Sequence, residues 1–176
     1  MNRAALASAL ANAALLRGEF TLRSGRTSKY YLDKYRFTTR PELLCALAAL
    51  FADRVRAIGG VDRLAGAELG GIPLVTATGL EMGLPFVFVR NQKKDYGTAK
   101  QLEGELNAGE CVVLLEDIAT TGGQAVEAIR TLRDAGARVP AVITAIDREE
   151  GARANVENSG CRFEALFTKR DLGVDD

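Results

Sequence analysis

The sequence predicts an α/β fold: a parallel central sheet flanked by helices, with a small N-terminal hood and a long flexible lid loop. Three observations carry this. From Arg63 onward, short apolar runs alternate with stretches of helical periodicity, as in a parallel sheet covered by helices on both faces. The unbroken run Cys111, Val112, Val113, Leu114, Leu115 reads as a strand buried on both sides. Two stretches, about 18–40 and about 90–109, fall outside the alternation and supply the hood and the lid.

In chain order, Leu6, Leu10, Ala13 and Leu16 recur at helical spacing, so the N-terminus reads as an amphipathic first helix rather than an export signal, with Asn12 and Arg17 interrupting its apolar run. Gly18 ends that pattern. Residues 19–23 alternate as a short strand does, 24–27 read as a turn, and 28–33 form a second, aromatic strand, which together make a hairpin. Pro41 opens a long core helix through Leu44, Leu47, Leu50, Phe51, Val55 and Ile58, which Gly59 and Gly60 terminate. Residues 64–67 are a short strand, Gly70 and Gly71 a tight turn, and 73–82 a helix stopped by Gly83. Strands follow at 85–89, 111–115 and 139–146, with a helix at 124–135 capped by Gly136. A helix at 152–158 and an edge strand at 163–167 complete the chain, which reads as a single domain over residues 1–176.

Composition narrows the chemistry. Lys plus Arg equals Asp plus Glu at 23 each, so the zero net charge gives no reason to expect a nucleic-acid or membrane surface. The chain has no histidine, which removes imidazole bases and His-ligated metals. Cys45, Cys111 and Cys161 are widely spaced in apolar contexts, unlike a disulfide framework or a zinc site. Any metal is then expected to be a hard, oxygen-bound ion such as Mg²⁺. No apolar run approaches membrane-spanning length, and the expected location is the cytoplasm.

The run from Cys111 to Gln124 is the most informative. Its apolar strand is followed by Glu116 and Asp117, then Ile118, Ala119, Thr120, Thr121, Gly122 and Gly123, in front of the helical pattern Ala125, Val126, Ile129, Leu132. Ligands of open α/β sheets lie outside the carboxyl ends of the strands, so both acids stand at the mouth of a site. Small residues before a helix let backbone N–H groups close around an anion, helped by the helix dipole. Carboxylates repel phosphate, so the two halves hold different parts of one ligand: hydroxyls at the acids, phosphate at the loop. Taken singly, the acids read equally well as solvated strand-end charges and the Thr-Thr-Gly-Gly run as a helix cap. The interval 90–104 carries four basic residues (Arg90, Lys93, Lys94, Lys100) and two acidic ones (Asp95, Glu103), a local charge of +2 in a neutral chain. It reads as a basic cover for a pyrophosphate or as a solvated hairpin.

The strand, two acids, two residues and Thr-Thr-Gly resemble the phosphoribosyl-pyrophosphate (PRPP) motif of the type I phosphoribosyltransferases. Within that family, residues 23–31 (Arg-Ser-Gly-Arg-Thr-Ser-Lys-Tyr-Tyr), the stretch 90–98, the PRPP run and the run Asp147-Arg148-Glu149-Glu150-Gly151 jointly resemble orotate phosphoribosyltransferase, in the same order and over essentially the whole chain. The resemblance implies transfer of the 5-phosphoribosyl group from PRPP to orotate, giving orotidine 5′-phosphate and pyrophosphate in pyrimidine (UMP) synthesis. Mg²⁺ would be held mainly through PRPP, with no firm protein ligand. It also implies a homodimer whose lid is shared between subunits.

By the same resemblance the PRPP-binding residues are Arg90, Asn91, Lys93, Lys94, Tyr96, Glu116, Asp117, Ile118, Ala119, Thr120, Thr121, Gly122, Gly123 and Gln124, with Lys94 and Asp117 catalytic. The orotate-binding residues are Arg23, Tyr31, Thr120 and Arg148. Arg148 also reads as a structural partner of Asp147 or Glu149. Three positions depart from common family patterns: Asn91 and Gly70 stand where many relatives have lysine, and Tyr96 where many have histidine. The alternatives are a phosphoribosyltransferase for another base and a PRPP-sensing regulatory protein; neutral charge and the lack of an added DNA-binding module argue against the regulator.

Overall fold

The computed structural model describes residues 1–21, 25, 27–91 and 101–175. Helix α1 (Arg3–Ala14) is capped by Asn2, whose side chain accepts from the Ala5 N–H. It leads straight into β1 (Leu15–Thr21), which pairs antiparallel with β2 (Thr27–Leu32) as a separate two-stranded sheet. The first helix therefore stops before Leu16, because Leu15 and Leu16 pair with Leu32 and Tyr31 across the hairpin. A single turn, α2 (Tyr35–Thr38), connects to α3 (Pro41–Ile58). That helix has the bounds its Pro start and Gly stop dictate, with Gly59 at φ 72°. Its Leu47, Phe51 and Val55 line one buried face; Phe51 is wholly buried, a burial worth about 2–3 kcal/mol.

The remaining elements are β3 (Arg63–Ala67), α4 (Gly71–Met82), β4 (Phe86–Val89), β5 (Leu102–Glu103), β6 (Cys111–Ala119), α5 (Gly123–Asp134), β7 (Arg138–Asp147), α6 (Ala152–Asn158) and β8 (Arg162–Thr168), then a 3₁₀ turn at Arg170–Leu172. The six-stranded sheet has the order β5-β4-β3-β6-β7-β8, parallel except at β5. Period-two alternation splits the core: Leu64, Val113 and Leu115 face a cluster with α1, α3 and α4, while Ala65, Val112 and Leu114 face α5 and α6.

Two differences from the sequence reading bear on the site. Strand β6 does not end at Leu115. Its pairing with β3 stops there, but β7 continues beside it, with Glu116 opposite Thr144 and Ala119 opposite Asp147. The second half of the lid interval is also partly ordered into the sheet: Leu102 and Glu103 pair with Val89 and Phe88, and the Arg90 N–H donates to the Gln101 carbonyl.

Candidate active site

Because β6 overhangs β3 by four residues, its last turn of strand is open on one side. A cleft of about 730 Å³ fills that opening, lined by residues 116 and 118–124 together with Glu68, Arg90, Asn91, Ala125 and Glu127. The loop after β6 is held from behind. Thr120 accepts from the Ala152 N–H, Ala119 from the Arg148 N–H, and the Thr121 carbonyl from Asn155 Nδ2 at 2.7 Å. Gly122 stands at φ 79°, and a side-chain carbon there would lie 3.1 Å from the Ala152 backbone, so both conformation and space require glycine. The first N–H groups of α5 lack partners within the helix and face the cleft, which suits an anion.

Alternation along the strand sends the two acids to different places. Glu116 lines the cleft on the α5 side; Asp117 stands on the other face of the strand, toward Lys34 and the Gly70 turn. Lys34 Nζ is 2.8 Å from Asp117 Oδ2. Burial of Lys34 opposes its charge, but the attraction and hydrogen bond of Asp117 outweigh it and hold its pKa above 10.5. Glu116 is buried, and that burial, with the negative charge of Asp117 added and Lys34 only partly opposing, pushes its pKa up to about 8. Burial thus favours the protonated form of Glu116 at neutral pH, in which its carboxyl can donate a hydrogen bond.

On the opposite wall, the Asn91 N–H donates to Glu68 Oε1 at 2.7 Å, Asn91 Nδ2 to the Glu68 carbonyl, and Gln124 Nε2 to Asn91 Oδ1. Strand ends β3 and β4 are thereby tied to helix α5. Arg148, at the end of β7, is 7% exposed. Its Nη2 pairs with Glu150 Oε1 at 2.9 Å, rather than with Asp147 or Glu149, and its guanidinium lies over the Tyr30 ring. Asp147 instead accepts from the Glu149 N–H and shapes the turn.

Among the described residues, three buried side-chain atoms lack a hydrogen-bond partner: Arg90 Nε, Glu116 Oε1 and Arg148 Nε. Native interiors seldom leave such atoms unpaired. All three belong to residues that the sequence marks as site residues, and they are free to meet a polar ligand.

Of the expected residues, Arg90, Asn91, Glu116 and 118–124 line the cleft, and Asp117 lies beside it against Lys34 and the Gly70 turn. Tyr31 is 43% exposed with its ring 5.8 Å from Phe20, on the opposite face of β2 from the ring that meets Arg148. Arg23, Lys93, Lys94 and Tyr96 lie outside the described residues. Sequence reasoning missed Lys34, Tyr30 and Glu68. Glu68 follows β3, so the strand-end rule that found Glu116 reaches it too. Lys34 carries no local signal, since its partner is far along the chain. No group of three metal-ligating side chains is present among the described residues, and no described helix is long and apolar enough to cross a membrane.

Comparison with known proteins gives consistent matches. Residues 36–159 match the phosphoribosyl transferase domain. The chain is 53% identical over 158 residues to the orotate phosphoribosyltransferase of Natronomonas pharaonis, covering 90% of this chain and 89% of that one. The crystal structure of orotate phosphoribosyltransferase from Aeropyrum pernix superposes with a TM-score of 0.86 at 31% identity, covering 95% of each chain. That of the Mycobacterium tuberculosis enzyme in complex with PRPP superposes with a TM-score of 0.83 at 31% identity, over 98% of this chain and 99% of that one.

Proposed function

The chain belongs to the phosphoribosyl transferase family, among its orotate phosphoribosyltransferases, and from that membership we propose the division of labour by which it transfers the 5-phosphoribosyl group of PRPP to orotate. N1 of the deprotonated orotate attacks the ribose C1, the bond from C1 to the pyrophosphate oxygen breaks, and pyrophosphate leaves; orotidine 5′-phosphate is the product. The observation that carries this reading is the set of three unpartnered buried atoms on Arg90, Glu116 and Arg148, which supply polar contacts at separate edges of the site.

Each group has a chemical task. Residues 119–124 and the start of α5 bind the 5′-phosphate through backbone N–H groups and threonine hydroxyls. Glu116 and Asp117 hold the ribose hydroxyls, the protonated Glu116 able to donate and Asp117 to accept. Arg148 binds the orotate carboxylate, with Thr120 near the ring, and Arg23 and Tyr31 are assigned to the base by the family resemblance. Arg90, Asn91, Lys93, Lys94 and Tyr96 are assigned to the pyrophosphate by the family resemblance, with Lys94 as a catalytic residue. Fixed cations there stabilise the charge that develops as the bond breaks.

Carboxyl oxygens such as those of Glu116 and Asp117 suit a hard ion, but burial favours the protonated Glu116 and Asp117 Oδ2 is already engaged by Lys34, so Mg²⁺ would be held chiefly by substrate oxygens. When bound, Mg²⁺ neutralises charge on the leaving pyrophosphate. Residues 1–176 act as one domain, with 18–40 as hood and 90–109 as lid. A homodimer sharing the lid fits the apolar side chains of Leu69 and Leu80, 60% and 77% exposed beside and on α4. Three free cysteines suit the reducing cytoplasm.

Turnover of orotate against adenine, hypoxanthine and uracil, with PRPP and Mg²⁺, tests the reaction: only orotate is expected to react, and its failure to do so overturns the assignment. Mixing Lys94→Ala chains with Asp117→Asn chains tests the shared lid. Activity returns in the mixed dimer if the lid crosses the interface, and stays lost if it does not.

A further inference from the structure

Lys34 belongs to no sequence pattern of the site, yet it is paired with one of its two strand-end acids. It lies two residues after β2 and directly precedes α2, so one short run of chain lays Tyr30 on Arg148 and Lys34 on Asp117. Asp117 is 4% exposed and held on several sides. Its Oδ1 accepts from the Ile118 N–H, and its Oδ2 accepts from Lys34 Nζ at 2.8 Å. Its carboxylate also occupies the space into which a side chain at Gly70 would grow, and Lys34 Cδ closes that space at 3.1 Å.

A short, buried carboxylate has few rotamers, and a charge-assisted bond in a low-dielectric setting selects one of them. We propose that Lys34 is a positioning residue for Asp117: it fixes the carboxylate in the orientation that meets the ribose hydroxyls of PRPP. The inference rests on the transferase reading above. Lys34 acts through Asp117 and not on orotate, so its effect is confined to PRPP. The attraction of Asp117 holds the lysine's pKa above its ordinary value, so Lys34 stays charged through the neutral range.

The test is a double-mutant cycle of Lys34→Met, Asp117→Asn and the two combined, with kcat and both Michaelis constants measured and thermal unfolding as a check on folding. Lys34→Met is expected to lower kcat/KM for PRPP roughly 10- to 100-fold, the scale of one charge-assisted hydrogen bond, while the orotate KM stays within about twofold. In the Asp117→Asn background it should cost nothing more. Lys34→Gln keeps an N–H donor but is uncharged and one bond shorter, and serves if the methionine variant misfolds; a fall in the same direction is expected. Additive losses, or unchanged PRPP kinetics in a folded Lys34 variant, overturn the role. Wild-type protein that fails to use orotate overturns the transferase reading itself, so the two failures are distinct.

Discussion

The guanidinium carbon of Arg148 lies 4.9 Å from the centre of the Tyr30 ring, so the turn after β7 and the hood hairpin meet above the site. The arginine is buried and has Nε to spare. Removing it as Arg148→Ala should raise the orotate KM by about 10- to 100-fold, as expected for a lost charged contact, with the PRPP KM little changed. Tyr30→Leu keeps apolar bulk but removes the ring face, a contribution of about 1 kcal/mol, so a rise of about fivefold is expected. Steady-state kinetics at saturating PRPP measure both. If Tyr31→Leu raises the orotate KM and Tyr30→Leu does not, the aromatic contact to the base belongs to Tyr31.

Gly70 tests the packing around Asp117. Its φ and ψ of −73° and −24° suit any residue, so alanine costs nothing in backbone conformation there. Its methyl group would instead collide with the Asp117 carboxylate. Gly70→Ala should therefore fold normally and lose tenfold or more in kcat/KM for PRPP, about 2 kcal/mol for a displaced charged contact. Unchanged kinetics would mean that Asp117 relocates freely and its orientation is not critical.

What could be read from the sequence divides by the range of the interaction. Helix α3 has the expected limits, Pro41 and Ile58, because a proline start and a glycine stop act within a few residues. Helix α6 likewise matches at 152–158. The Glu116 to Gln124 run was legible because strand end, acids and phosphate loop are contiguous. Strand β6 was misjudged at its C-terminal end because its last four residues are paired by β7, a strand some twenty positions later, after the apolar run has ended. The boundary of α1 was missed for the same reason: Leu15 and Leu16 fit a helical face locally, but pairing with β2 draws them into a strand. Neither the Lys34–Asp117 pair nor the choice of Tyr30 over Tyr31 at Arg148 has a signature in neighbouring residues. Both depend on how the hood folds over the sheet.

Glu116 gives the ligand-free protein a predictable pH dependence. Its folded pKa of about 8 lies above the ordinary 4.5, so the native state binds the extra proton between those values. The sign follows: stability is greatest below about 4.5 and falls as pH rises through about 8, by a few kcal/mol in all, since each pH unit is worth about 1.4 kcal/mol. Glu116→Gln cannot ionise, and should flatten this fall. Urea unfolding at pH 5, 7 and 8.5 is expected to find the variant more stable than wild type at the highest pH, with the gap closing toward pH 5. A gap that is constant with pH would mean that Glu116 is already charged in the folded protein at pH 7.

Asn91 separates two ways in which the root of the basic interval can serve PRPP. It lines the cleft, but its N–H, amide N–H and amide oxygen are all engaged, with Glu68 and Gln124. These are largely solvent-facing bonds, of which the side chain makes two, each worth about 0.5–1.5 kcal/mol at most. If Asn91 serves as a clasp holding β3, β4 and α5 in register, Asn91→Ala should raise the PRPP KM by less than about tenfold and leave kcat near wild type. Gln124→Ala, which breaks the same clasp from the other side, should have a similar effect, and the double variant should be little worse than either. A far larger, additive loss would mean instead that Asn91 leaves Glu68 on binding and bonds a phosphate oxygen directly. Titration of PRPP into the three variants, read by calorimetry, decides between them.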